Sequence, residues 1–75
     1  MELKIGVIHT GREIELDVED DAATVGGDVE KSIADGARMV WFTDRKGRRV
    51  GVVADKLAYL EFGPEDSPKV VGFSG

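Results

Sequence analysis

A chain of 75 residues has room for one small hydrophobic core, and without cysteine it has no disulfide or thiolate metal site to staple that core. Its 15 acidic and 10 basic residues leave a net charge of −5, which argues against wholesale binding to nucleic acid. The single histidine, His9, argues against a zinc site, and no apolar run approaches the roughly 18 residues that cross a bilayer.

At the N-terminal end, Leu3, Ile5 and Val7 alternate with Glu2, Lys4 and Gly6, a period of two that predicts a half-buried strand. The same alternation, with an acid at Glu2, reads as a strand and not as a signal peptide, so the expected location is the cytoplasm. His9-Thr10-Gly11-Arg12 is a turn signal. Ile14, Leu16 and Val18 then alternate with Glu13, Glu15 and Asp17, completing an N-terminal hairpin with one charged face. Asp20-Asp21 supplies helix N-caps, and Val25, Val29 and Ile33 follow at a spacing of four, with Ala22 and Ala34 extending the stripe. Gly36 is placed to end that helix. Gly26-Gly27 is discordant, and implies either a late helix start or a close approach to the sheet.

Met39–Thr43 reads as a third strand, Asp44-Arg45-Lys46-Gly47 as a type I turn closed by a left-handed glycine, and residues 48–53 as a fourth strand. After a short break at Ala54-Asp55-Lys56, residues 57–62 form a fifth. Gly63-Pro64 stops it, and Pro68 keeps the following stretch irregular until Lys69–Phe73, which is suited to a short edge segment. The expected fold is α+β: ββαβββ in one domain over residues 1–75, a single helix on one face of a five-stranded, largely antiparallel sheet, with residues 63–75 a less regular tail. The short break favours a meander of the last three strands, leaving the other sheet face uncovered.

Several segments together resemble the small actinobacterial proteins grouped as domain of unknown function 3107. They are the opening Met1-Glu2-Leu3-Lys4-Ile5-Gly6-Val7, Arg12-Glu13-Ile14, Thr43-Asp44 before Gly47-Arg48-Arg49-Val50, Lys56-Leu57-Ala58-Tyr59-Leu60-Glu61-Phe62-Gly63, and Val71-Gly72-Phe73. The likeness covers nearly the whole chain. It departs where Gly26-Gly27 stands in place of an alanine-rich helix, and where Ser67-Pro68-Lys69-Val70 stands in place of a more basic run. The resemblance implies a cytoplasmic protein and supplies no catalytic residues. A weaker likeness, carried by the opening hairpin, the helix start at Thr24-Val25 and the terminal Gly75, is to a ubiquitin-like β-grasp. Ser74 stands where sulfur carriers of that fold have a further glycine.

The strongest candidate site is the hairpin tip, where Arg45, Lys46, Arg48 and Arg49 place four of the ten basic residues within five positions. Residues 1–37 carry a net charge of −7 and residues 38–75 of +2, a polarity able to orient one copy on another. The plain reading of the tip is a solvated loop whose arginines pair with Asp44 and Asp55. The functional readings are contact with an acidic protein surface or with the phosphates of a nucleic acid or nucleotide. Trp41 on the third strand and Tyr59 on the fifth are the aromatic candidates for partner contact, and Tyr59 shares its strand face with Glu61, opposite Ala58, Leu60 and Phe62. The acids Asp17, Glu19, Asp20 and Asp21 lack the alternating spacing of a calcium loop, and His9 has no nucleophile tied to it by any motif. The expectation is a non-enzymatic protein-interaction module, a homo-oligomer without cofactor or metal, or alternatively a phosphate-binding module that uses the basic tip.

Overall fold

In the computed structural model, which describes residues 1–63 and 69–73, each expected element forms in order. These are β1 (Glu2–Val7), β2 (Glu13–Asp17), α1 (Ala22–Ala34), β3 (Met39–Thr43), β4 (Arg49–Val53), a 3-10 turn (Ala54–Lys56), β5 (Leu57–Phe62) and β6 (Lys69–Gly72). The fold is α+β, with one helix and antiparallel strand pairs. The segment 64–68 and the terminal Ser74-Gly75, to which the Pro64 stop, the irregular stretch at Pro68 and part of the β-grasp likeness were assigned, lie outside the described residues.

The strands do not share one five-stranded sheet. Four of them form a sheet in the order β2-β1-β5-β6, and β3-β4 is a separate two-stranded hairpin. The meander of the last three strands is therefore absent: β5 leaves β4 and pairs with β1, setting Ile5 opposite Leu60 and Leu3 opposite Phe62. The cause lies in residues 54–56. Instead of a tight reversal the chain makes a 3-10 turn, and the Lys56 carbonyl accepts from the Ile8 amide at 2.8 Å, so the next residue enters beside β1. A register shift at Gly6/Val7 absorbs the join. A β-grasp places its strands in one mixed sheet, and the antiparallel β1–β5 pair and detached hairpin depart from it. Lys69–Gly72 does return as an edge strand, pairing with β5.

The helix begins and ends where its caps stand. The Asp21 side chain accepts from the Thr24 amide at 2.8 Å. At the other end Gly36, at φ +80°, turns the chain, its amide donating to the Ile33 carbonyl while the Ala37 amide donates to that of Ser32. These two bonds occupy carbonyls that the last turn leaves free. The helix runs through Gly26-Gly27 without a late start, and a β-carbon at either position would meet nothing within 4 Å. Neither explanation expected for that pair holds.

Alternation then assembles the core. Leu3, Ile5, Leu16, Leu60 and Phe62 from the four-stranded sheet meet Val40, Phe42 and Val52 from the hairpin and Val29 from the helix in one buried cluster. Burying a side chain of this size contributes about 1.5–3 kcal/mol. The hairpin and helix thus share the task of covering one face of the sheet.

Candidate functional site

The basic tip is held down by the acidic half of the same chain. Asp44, only 9% exposed, is the hinge of this contact. One carboxylate oxygen accepts from the Lys46 amide at 2.8 Å, closing the turn, and the other accepts from the Asp17 amide at 3.1 Å, tying the tip to the end of β2. The backbone completes the clip: the Arg45 amide donates to the Asp17 carbonyl at 2.7 Å and the Gly47 amide to the Asp44 carbonyl at 2.8 Å, with Gly47 at φ +90°. The Lys46 and Asp17 amides hold the Asp44 carboxyl below its ordinary pKa, Arg48 and Lys46 adding to the effect. The hydrogen bond from the N-terminal ammonium, followed by Arg45, does the same for Asp17.

This arrangement engages the arginines internally. Arg45 pairs with Asp17 at 3.3 Å, Arg48 donates to the Glu15 carbonyl at 3.2 Å, and the Arg49 guanidinium lies 4.9 Å from the centre of the Trp41 ring. The expected pairing of arginines with Asp44 and Asp55 is replaced by these contacts, because backbone amides already occupy the Asp44 oxygens. Lys46 forms no ion pair among the described residues.

Trp41 and Tyr59 stand on different sheets. Trp41 points away from the core, 55% exposed, on the outer face of the hairpin with Met39 (37%) and Val53 (47%). Met39 lies opposite Val53, and Trp41 lies opposite Gly51, over which its ring and the Met39 methyl fold. A β-carbon at Gly51 would stand 2.8 Å from the ring and 2.9 Å from the methyl, so the glycine keeps this apolar patch flat and continuous. Arg49 borders it.

Tyr59 lies on the outer face of the four-stranded sheet, which is largely charged, with exposed Val70 at its β6 edge. Lys4 sits between Glu15 and Glu61, and its ammonium lies 3.9 Å from the Glu61 carboxylate. The Tyr59 hydroxyl donates to Glu13, and that bond is the main reason its pKa is raised above 10.0. The uncovered sheet face is thus an acidic surface, and the exposed apolar patch belongs to the hairpin.

Between α1 and β3 lies an open cleft of about 470 Å³. Val25 and Val29 from the helix and Val40 and Phe42 from β3 line it, while Glu19, Asp20 and Asp28 stand on its walls. Sequence reasoning missed this cleft, because Val25 and Val29 read as part of the apolar stripe of the helix. His9 is exposed at the first turn and adopts φ +66°, so the left-handed residue there is the histidine and not Gly11. No group of three metal-ligating side chains occurs among the described residues, and no helix there is long and apolar enough to cross a membrane.

The model of one protein family, described as a protein of unknown function (DUF3107), matches residues 1–74. No curated protein matches the chain. The match spans both hairpins, the helix, the Thr43–Arg49 turn and β5, so the chain belongs to the family of domain of unknown function 3107.

Proposed function

We propose that the protein is a non-enzymatic protein-interaction module that associates with copies of itself through the outer face of the β3–β4 hairpin. The observation that carries this reading is the patch of Met39, Trp41 and Val53, exposed on one face and flattened by Gly51. Aromatic and methionine side chains of this kind supply affinity at interface centres. Charge supplies orientation: Arg49 borders the patch and Lys46 stands at the tip of the same hairpin, while Glu2, Glu13, Glu15 and Glu61 lie on the four-stranded sheet of the same molecule. A basic-rimmed patch and an acidic face on one chain favour contact between copies.

The reading further takes the protein to act in the cytoplasm of an actinobacterium, which rests on the resemblance of the chain to its family. Phosphate binding by the basic tip is the weaker alternative, since Arg45, Arg48 and Arg49 already have partners within the chain. A nucleotide titration at two salt concentrations tests it, and salt-dependent binding lost in Lys46→Ala would revive it. Light scattering at micromolar concentration tests the main reading. A mass above that of the 8.1 kDa monomer is expected, and a strict monomer contradicts it.

A further inference from the structure

The cleft beside β3 has a property that its residue types alone do not reveal: one wall is a free strand edge. Among the described residues β3 pairs with β4 alone. In an antiparallel pair, alternate residues turn their amide and carbonyl toward the partner, and those between turn away. The Asp44 amide donates to the Arg48 carbonyl and the Ala54 amide to the Arg38 carbonyl, which fixes the phase. Arg38, Val40, Phe42 and Asp44 therefore face β4, while the backbone groups of Met39, Trp41 and Thr43 point to the open edge. Those of Trp41 and Thr43 border the cleft, and they have no backbone partner among the described residues.

From this geometry we infer that the cleft receives an extended peptide segment, which adds as a strand to the free edge of β3 beneath α1. Strand addition supplies main-chain bonds for affinity and pockets for alternate side chains for specificity. The inward side chains of such a segment meet Val18, Val25, Val29 and Phe42, and so are apolar. The outward ones reach Glu19, Asp20 and Asp28, and so are basic. A second copy does not suit this site, because β3-to-β3 pairing would bring the same acids of both molecules together. The occupant is therefore a segment of another protein in which apolar residues alternate with lysine or arginine. The inference adds a second contact to the proposed module and rests on the strand edge, not on the hairpin patch.

The probe is a capped peptide of alternating valine and lysine, about five residues long, matching an edge that advances about 3.3 Å per residue. Isothermal titration calorimetry reads binding, because the Trp41 ring lies on the outer face of the hairpin and not in the cleft. Saturable binding is expected, about tenfold weaker when the peptide amides that face β3 are N-methylated, and at least about tenfold weaker in Asp28→Lys. Circular dichroism verifies that this variant is folded. No binding by the lysine peptide, equal binding of the N-methylated peptide, or equal binding by Asp28→Lys each overturns the inference. Light scattering on the same samples separates the two readings: a strict monomer that binds the peptide in this pattern retains the strand site and removes self-association.

Discussion

The Tyr59 hydroxyl reaches the Glu13 carboxylate across an intervening strand. Tyr59 on β5 and Glu13 on β2 both pair with Gly6 on β1, so the ring crosses a position that has no side chain. A β-carbon at Gly6 would overlap one edge of the ring. The glycine weakens its strand, and the aromatic ring laid over it covers the exposed backbone.

Gly6→Ala is therefore expected to destabilise the protein by about 1–3 kcal/mol, the usual cost of forcing an extra carbon into an occupied space. Gly51→Ala raises the same conflict with Trp41 and Met39, but both are exposed and free to swing outward, so its cost should be smaller. Urea unfolding of the two variants decides the point. Equal midpoints for Gly6→Ala and the wild type would show that Tyr59 moves aside freely.

The same bond predicts an alkaline limit. The Tyr59 pKa is raised in the folded state, mainly by the hydrogen bond to Glu13, so the folded chain holds this proton more tightly than the unfolded chain does. Its contribution is complete below the unfolded value of 10.0 and is lost as pH rises through the folded value. Tyr59→Phe should lower stability at neutral pH, with the difference from wild type narrowing above pH 10.0. A pH-independent difference would contradict the linkage.

On the acid side the sign reverses. Asp44, Asp17 and Asp21 all have pKa values lowered from 3.8, the first by the amides of Lys46 and Asp17, the second by the N-terminal ammonium and the third by the Thr24 amide. Each binds its proton more weakly when folded, so its contribution is present above pH 3.8 and is lost as pH falls through the lowered value. Asp44→Ala removes the acceptor for two amides and unclips the hairpin from β2. Its Tm should fall by several degrees at neutral pH, and its acid transition should be shallower than that of the wild type. Thermal melts across the acid range test both statements.

The helix carries an opposite expectation. Since a β-carbon at Gly26 or Gly27 meets nothing within 4 Å, alanine at either position should stabilise the protein by about 1 kcal/mol. Destabilisation in chemical denaturation would mean that the glycines serve a contact or motion that the helix as folded does not display.

Local patterns were legible where local physics decides. The period-two runs at Leu3–Val7 and Ile14–Val18, the Asp21 cap, the Gly36 terminus and the Gly47 turn each follow from a few neighbouring residues. The partner of β5 was not legible, because the alternation of Tyr59 and Glu61 with Leu60 and Phe62 suits any neighbouring strand. The bond between Ile8 and Lys56 that directs it joins residues far apart in sequence. The basic tip was visible as a cluster, but its restraint by Asp17 and Glu15 depends on how the hairpin folds back on β2. Trp41 was visible as an aromatic residue in a strand. Its exposure follows from Val40 and Phe42 taking the inward positions on either side. The cleft was hidden for a similar reason, since a free strand edge belongs to the pairing and not to the residues.

If the face around Trp41 is the contact between copies, the emission of that residue must change over a dilution series. Emission at shorter wavelength is expected in concentrated protein, where the indole is covered. It should shift to longer wavelength on dilution into the low micromolar range, in step with a fall in mass by light scattering, and Trp41→Ser should remain monomeric throughout. Emission of an exposed indole at every concentration, with the wild type and Trp41→Ser having the same mass, would contradict it.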